Sequence, residues 1–255
     1  MYTEPTLSAC IVLYNSGMRA AQTIRSFQES DVPLELFAVN NAPGDDSIHR
    51  LRWQCPGLQV ITAPKNLGYG KANNLVLPHL RSKYHIICNP DVTFDSDLLG
   101  KMVQYMELNR ECVLLTPRVF FPDGREQFLP KRAPTVRYLL GCLEKLPGPF
   151  RRWRNEYTLQ DTEVEVPTSV EFASGCFMMI RSSAFYQLGG FDPRYFLYHE
   201  DSDLSRQALR LGNIVYHPQF FVTHDWQRSS HRSLSCALRH LSSSIKYFCK
   251  WGWKW

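Results

Sequence analysis

A short acidic cluster carries the clearest chemical signal in this sequence of 255 residues. Glu200 and Asp201 are adjacent, Asp203 follows, and an aromatic-rich stretch from Phe191 to Tyr198 precedes them. Carboxylates behind an aromatic wall lose part of their hydration, which raises their pKa towards values suited to a general base. We therefore predict a catalytic acid/base pair at Glu200 and Asp201. Asp203 fits equally well as a residue that only complements a helix dipole.

A second candidate group lies at the end of a predicted strand. Asp91 closes the sequence Asn89-Pro90-Asp91, directly after the apolar residues 85–88. A carboxylate in this position suits a hard divalent cation, which takes oxygen ligands and bridges phosphates. His224 is a further candidate ligand, although a single histidine is more often structural.

Strands and helices alternate through the first half of the chain. This alternation predicts an α/β fold with a mostly parallel sheet and helices on both faces. Continuous apolar runs predict strands at 7–14, 34–39, 58–62, 85–88 and 112–116.

Polar clusters follow four of these strands, although each cluster alone would fit a turn. Ligands of parallel sheets bind beyond the carboxyl ends of the strands, so the convergence of the clusters predicts a binding site. The clusters lie at 14–15, 40–41, 66–73 and 89–91.

The second half of the chain departs from this pattern. Residues 119–157 contain scattered prolines and the basic run 151–154, so we predict an irregular insertion there. The apolar segments 170–180 and 213–217 predict further strands. A helix is predicted directly after the acidic cluster, with its apolar face at Leu204, Ala208 and Leu211.

Composition and charge exclude several classes of protein. The net charge of +5 is too small to indicate a nucleic-acid partner. The eight cysteines include no Cys-x-x-Cys pair, and several lie in apolar runs, as is typical of a reducing compartment. No signal-peptide pattern opens the sequence, and no apolar run approaches the roughly 20 residues of a spanning helix. We expect a cytoplasmic protein, with peripheral contact at the inner face of the cell membrane.

Residues 226–255 predict a basic amphipathic C-terminal helix without a single acidic residue. It either packs its apolar stripe on the preceding domain or lays it on an anionic membrane interface. Both alternatives can be true at once if the stripe is buried on the domain and only the tryptophan-rich end of the helix contacts lipid. The stripe comprises Leu234, Leu238, Leu241, Ile245 and Phe248.

Four motifs occur in an order that is specific although each alone is weak. Together they resemble family 2 inverting glycosyltransferases of the GT-A fold, and within that family bacterial rhamnosyltransferases of cell-surface polysaccharide assembly. The motifs are Ile11-Val12-Leu13-Tyr14-Asn15, Asn66-Leu67-Gly68-Tyr69-Gly70-x-x-Asn73, Asn89-Pro90-Asp91-Val92, and Gly189-Gly190-Phe191-Asp192 through Glu200-Asp201-x-Asp203-Leu204.

The resemblance implies a role for each motif residue. Asp201 matches the catalytic base with Glu200 beside it, and Asp91 with His224 would bind Mg²⁺ or Mn²⁺. Because Asn89 replaces the first acid of the family's metal motif, metal binding would depend more on His224 and on the donor diphosphate. The implied donor-binding residues are Tyr14, Asn15, Asn40, Asn66, Gly68, Asn73, Asn89 and Asp91, and those on the acceptor side are Gly175, Asp192 and Tyr198.

The resemblance also implies a function and a domain plan. The expected donor is dTDP-L-rhamnose, and the expected acceptor is a glycan or a polyprenyl-diphosphate-linked glycan. The alternatives are a UDP-galactofuranose or UDP-hexose donor, a non-catalytic module that binds sugar nucleotides or glycans, and a basic protein that binds anionic surfaces. We expect a GT-A domain at 1–225, with a nucleotide-binding half at 1–117 and an acceptor half at 118–225, followed by the helix at 226–255.

Overall fold

The computed structural model describes residues 6–16, 19–45, 47–142, 148–160, 162–226 and 234–255. Its strands are Leu7–Leu13 (β1), Leu34–Asn40 (β2), Gln59–Thr62 (β3), Tyr84–Cys88 (β4), Val92–Thr93 (β5), Cys112–Phe120 (β6), Thr168–Val170 (β7), Phe177–Arg181 (β8) and Asn213–His224 (β9). Its helices are Ala20–Gln28 (α1), Ser47–Gln54 (α2), Tyr69–Asn74 (α3), Leu98–Leu108 (α4), Val136–Gly141 (α5), Pro149–Thr158 (α6), Ser182–Gln187 (α7), Glu200–Ala208 (α8) and Leu234–Trp251 (α9), and a 3₁₀ turn spans Leu77–His79.

All nine strands belong to one sheet, in the order β3-β2-β1-β4-β8-β6-β9-β5, with β7 paired to β9. The first four strands of this order are parallel, and β6 is parallel to β9. Helices pack on both faces of the sheet. Ile24 of α1 and Met102 of α4 lie in one hydrophobic core, whereas Phe185 of α7 and Leu204 of α8 lie in another. The predicted mostly parallel sheet with helices on both faces is therefore confirmed.

The strand register brings the polar clusters to one edge of the sheet. Leu13 at the end of β1 pairs with Asn40 at the end of β2, and Ile11 pairs with Cys88 at the end of β4. β8 runs antiparallel to β4, with Phe177 opposite Cys88, so the chain enters β8 at this same edge. The residues just before β8 therefore join the ends of the parallel strands.

The second half is more regular than the sequence indicates. The segment 119–157, predicted to be an irregular insertion, contains two helices, α5 and most of α6, which the sequence analysis did not predict. The basic run 151–154 lies within α6. The segment 170–180 divides into the end of β7 and most of β8, and the strand predicted at 213–217 continues to His224 because it pairs with both β6 and β5.

Helix α9 packs on the domain through a different face from the predicted stripe. Tyr247 and Phe248 are buried, whereas Leu238, Leu241 and Ile245 are exposed. The alternative in which the stripe packs on the domain is contradicted at Leu238, Leu241 and Ile245 and holds at Phe248. The Leu234 side chain lies outside the described part of the structure. In the described residues, we find no helix that is long and apolar enough to cross a bilayer.

Candidate functional site

The acidic pair begins α8 and is held by backbone donors. Tyr198 and His199, directly before it, adopt left-handed conformations with φ of 70° and 63°. Asp201 Oδ2 accepts a hydrogen bond from Gly175 N (3.1 Å) and Oδ1 accepts one from Ser202 N (2.8 Å). Gly175 precedes β8, so the Asp201 side chain is tied to the edge where the strands end.

The two carboxyls of the pair differ in their surroundings. Burial, reinforced by the charge of Asp201, raises the pKa of Glu200 to about 8. Burial also raises the pKa of Asp201, but the two backbone N–H donors oppose that rise. Glu200 Oε2 is buried and has no hydrogen-bond partner among the described residues. Burial therefore favours the protonated form of Glu200, whereas the two backbone donors favour the charged form of Asp201.

Asp203 has a structural environment instead. Its side chain is fully buried and accepts hydrogen bonds from Lys250 Nζ (2.8 Å), Trp251 Nε1 (2.7 Å) and Gln207 Nε2 (2.7 Å). The Tyr195 hydroxyl donates a further bond of 3.3 Å. Asp203 therefore fastens α9 to α8 and is saturated with donors.

A loop after β3 is shaped by an asparagine that the sequence analysis left out of its site list. Asn41 Nδ2 donates to Asn66 Oδ1 (3.1 Å), and Asn41 Oδ1 accepts from Leu67 N (2.8 Å). Asn66 Oδ1 also accepts from Gly68 N (3.0 Å). Asn41 is buried beside the predicted Asn40, and its pairing with this loop depends on tertiary structure.

The same loop packs directly on the acidic segment. The Tyr69 hydroxyl donates to Gly175 O (2.6 Å), and Tyr69 N donates to Phe196 O (3.0 Å). Gly68 has φ of 82°, and a Cβ there would lie 2.0 Å from Phe196 O, so only glycine fits. The predicted residues Gly68, Gly175 and Asp201 therefore belong to one site.

Two asparagines of α3 contribute differently. Asn74 clamps the backbone of Phe191, donating to its carbonyl (2.7 Å) and accepting from its N–H (2.8 Å). Asn74 was missed because nothing in the sequence separates it from its neighbour Asn73. Asn73 Nδ2 donates to Tyr69 O (3.0 Å), and its buried Oδ1 has no partner among the described residues.

The predicted residues at the ends of β1 and β2 lie at the same edge. Tyr14 is 53% exposed, and Asn15 beside it has φ of 50°. The Asn40 side chain is buried and accepts from Ala42 N (3.1 Å), so it shapes the turn that follows β2. Tyr14 and Asn15 are thus exposed at this edge, whereas Asn40 is buried.

Two predicted acceptor-side residues contact α9. Asp192 accepts from Lys250 Nζ (2.7 Å) and also pairs with Arg194. The ring of Tyr198 lies 5.1 Å from that of His240. These contacts give both residues a structural function.

Asn89, Asp91 and His224 converge beyond β4. His224 Nε2 lies 3.2 Å from Asp91 Oδ1 and 3.3 Å from Asn89 Nδ2. Asp91 Oδ1 is buried and has no hydrogen-bond donor among the described residues. The described residues contain no cluster of three or more His, Cys, Asp or Glu side chains that could hold a metal.

Gln127 fixes the orientation of the His224 ring. Gln127 Nε2 donates to the backbone oxygens of His224 (2.6 Å) and Phe120 (3.4 Å), so Gln127 Oε1 faces His224 Nδ1 at 3.1 Å. Nδ1 therefore carries the proton, and the lone pair of Nε2 faces both Asp91 Oδ1 and the donating amide of Asn89. Two acceptors that face each other fit a cation between them. No feature of the sequence around Gln127 indicates this role.

Comparisons with known proteins agree with one another. The family described as Glycosyl transferase family 2 matches residues 8–189. The N-acetylglucosaminyl-diphospho-decaprenol L-rhamnosyltransferase of Mycobacterium tuberculosis H37Rv is 27% identical over 258 residues, which cover 94% of this chain and 83% of that protein. Rhamnosyltransferase WbbL of Escherichia coli K12 is 26% identical over 199 residues, covering 72% of this chain and 70% of WbbL.

A solved structure shares the fold at low identity. The mannosyltransferase PcManGT from Pyrobaculum calidifontis, in complex with GDP-Man and Mn²⁺, matches with a TM-score of 0.63 at 15% identity. The match covers 96% of this chain, which spans only 65% of the length of that chain. At this identity the similarity concerns the fold alone.

Proposed function

Because the chain belongs to glycosyl transferase family 2 and has the GT-A type α/β fold, we propose that it moves L-rhamnose from dTDP-L-rhamnose to a glycan hydroxyl. The proposed acceptor is a lipid-linked glycan of surface polysaccharide synthesis. The single observation that carries the proposed chemistry is the Asp201 carboxyl group, held by two backbone donors beside buried Glu200. The choice of rhamnose is supported by the names of two relatives.

Asp201 is the proposed general base. It accepts the proton of the acceptor hydroxyl while that oxygen attacks the anomeric carbon of the donor sugar. The bond from the anomeric carbon to the donor phosphate breaks on the opposite face, so one displacement inverts the centre. Protonated Glu200 keeps a second negative charge away from the base, and its unpartnered Oε2 leaves it available for a hydrogen bond.

Asp91 and His224 are the proposed protein ligands of a divalent cation, Mg²⁺ or Mn²⁺. A bound cation would neutralise the departing diphosphate. The pair of facing acceptors fits this ion, and the amide of Asn89 lies beside them. Because the protein supplies only one carboxylate there, the donor diphosphate completes the ligand set, and the ion and donor bind together.

The acceptor class rests on one relative. The Mycobacterium tuberculosis protein is named for N-acetylglucosaminyl-diphospho-decaprenol, a lipid-linked sugar. We expect a similar polyprenyl-diphosphate-linked glycan here, handled at the inner face of the cell membrane.

A screen of nucleotide sugars tests the donor. The melting temperature is measured with dTDP-L-rhamnose, UDP-galactofuranose, UDP-glucose and GDP-mannose, each with Mn²⁺ and with a chelator. We expect the largest rise with dTDP-L-rhamnose and Mn²⁺. A larger rise with a UDP sugar would replace the donor assignment, and no rise with any of them would count against the proposed function.

Asp91→Ala and His224→Ala should each weaken metal-dependent donor binding, because each removes one of only two strong protein ligands. Calorimetry with dTDP in the presence and absence of Mn²⁺ measures the effect. If His224→Ala keeps the full metal dependence, His224 is a structural histidine.

Gln127→Leu should weaken Mn²⁺ binding about 10- to 100-fold, because the His224 ring loses the partner that fixes its lone pair. Gln127→Glu keeps an acceptor for Nδ1–H and should retain more affinity than the leucine variant. Calorimetric titration of Mn²⁺ in the presence of dTDP compares them, with melting temperatures without metal as the control for folding. Equal affinities in both variants and the parent would remove Gln127 from the metal site.

Ionisation of buried Glu200 should lower the stability of the parent relative to Glu200→Gln as pH rises from about 4.5 to about 8. The pKa of Glu200 is raised on folding, so the unfolded chain binds fewer protons at this residue in this window. The comparison with the variant isolates this contribution, because the lowered pKa values of His85, His199 and His217 make stability rise with pH in both proteins. Urea unfolding at several pH values measures the free energy of unfolding of both proteins. The same pH dependence in parent and variant would contradict the assignment of the proton to Glu200.

A further inference from the structure

Helix α9 is fixed to the domain by one polar and aromatic face. Ser243 Oγ donates to Leu197 O (2.8 Å), and Ser244 Oγ lies 2.9 Å from His199 Nε2. Tyr247 is fully buried between these serines and the Lys250 contacts. The orientation of the helix is therefore set by bonds that do not involve its leucine side chains.

An apolar stripe lies on another face of the same helix. We call Leu238, Leu241 and Ile245 the outer stripe; they are 58%, 58% and 44% exposed. Their spacing of three and four residues places them in one line along the helix. Leaving three aliphatic side chains in water along one line is unfavourable, which points to a partner that covers them.

The helix that carries the outer stripe also carries basic residues and is followed by tryptophans. Arg239 and Lys246 are exposed on it, with the Arg239 guanidinium 4.5 Å from the Phe196 ring and Lys246 Nζ donating to Arg194 O (2.9 Å). The sequence has no acidic residue after Asp225. Trp253 and Trp255, just beyond the helix, are 63% and 70% exposed. Aliphatic, basic and tryptophan side chains are the combination that suits the interface of an anionic bilayer.

We propose that the outer stripe of α9 binds the surface of an anionic lipid bilayer. The aliphatic side chains enter the boundary between headgroups and acyl chains, while Arg239 and Lys246 exchange their contacts with Phe196 and the Arg194 carbonyl for lipid phosphates. The surface is separate from the residues proposed for sugar transfer, so its failure and the failure of that function are distinguishable.

Charge favours a bilayer over a second copy of the chain. A symmetric pair of α9 helices would bring the basic groups of both copies together, and no acid on the helix would compensate them. Anionic lipid compensates them directly, and the attraction weakens as salt is raised.

Sedimentation with vesicles tests the proposal. The full chain is mixed with vesicles of phosphatidylcholine and phosphatidylglycerol, or of phosphatidylcholine alone, at low and high salt. We expect binding to the anionic vesicles that weakens with salt. Leu241→Ser should lower the partition coefficient about tenfold, and the triple variant with Leu238→Ser and Ile245→Ser should lower it further.

A matched control separates the outer stripe from general hydrophobicity. Leu108 on α4 is 77% exposed, so Leu108→Ser removes a similar surface elsewhere and should leave binding unchanged. Substituting the outer stripe is a sharper test than deleting 250–255, because that deletion would also remove the bonds to Asp203. If the triple variant fails to fold, the single variant Leu241→Ser decides.

Three results would overturn the proposal. The first is that the parent protein does not sediment with anionic vesicles at low salt. The second is that the outer-stripe variants sediment with these vesicles to the same extent as the parent. The third is a parent dimer in light scattering that Leu241→Ser dissociates, which would assign the outer stripe to a second copy. Donor binding, measured by melting temperature with dTDP and Mn²⁺, should be the same in Leu241→Ser and the parent.

Discussion

Asp201→Asn should lower the rate of sugar transfer by about 10²–10⁴ while the protein keeps its fold and its affinity for the donor. Asparagine has nearly the same size, and its amide oxygen can still accept from Gly175 N. It cannot take the proton of the acceptor hydroxyl at neutral pH. The loss therefore falls on the chemical step.

Initial rates with dTDP-L-rhamnose, or with the donor that the melting screen selects, measure this loss. Calorimetry of donor binding with Mn²⁺ is the control, and it should give the same affinity for parent and variant. Glu200→Gln replaces the carboxylic acid of Glu200 with a neutral amide of similar size. It should retain far more activity at neutral pH than Asp201→Asn does. Transfer by Asp201→Asn at the parental rate would show that the base lies elsewhere.

Asp203→Ala should lower the free energy of unfolding by about 3–5 kcal/mol, because it removes a carboxylate from a buried ion pair. Lys250 would keep only Asp192, and the donors of Trp251 and Gln207 would lose their acceptor. The position is fully buried, so water cannot replace the lost bonds freely.

Urea unfolding of parent and variant gives this difference. Asp97→Ala is the matched control, since Asp97 pairs with Lys101 on an exposed part of α4 and should change the free energy of unfolding by less than about 1 kcal/mol. Equal midpoints for Asp203→Ala and the parent would show that the buried network adds nothing to stability.

The parallel half of the sheet and its polar edge could be predicted from the sequence. Continuous apolar runs such as 7–13 and 84–88 are buried throughout, and local periodicity is sufficient to identify them. The clusters around Asn40 and Asp91 follow these runs directly. Their convergence then follows from parallel pairing alone, without knowledge of any side-chain contact.

The roles of neighbouring acids could not be predicted, because they depend on contacts between distant residues. Asp201 and Asp203 are two positions apart, yet Asp201 accepts from Gly175 N just before β8 and Asp203 accepts from side chains of α9. Gln127 bonds to a histidine 97 residues away, and no local pattern indicates that pairing.

The face that α9 presents to the domain was also unpredictable. Periodicity identifies Leu238, Leu241 and Ile245 as one apolar face, and surface helices usually bury such a face. Here the side-chain hydrogen bonds of Ser243, Ser244 and Lys250 orient the helix. A prediction from the spacing of apolar residues does not take such bonds into account.

The bond between Asp203 and Lys250 joins residues 47 positions apart, which sets an order of events during protein synthesis. When synthesis has reached the end of β9, the growing chain contains the proposed base Asp201 and its neighbour Asp203. It does not yet contain Lys250, which lies in α9. Closing so long a loop costs entropy and cannot precede translation of the helix. A nascent or prematurely terminated chain that lacks α9 would expose the Asp203 carboxylate where the complete fold buries it.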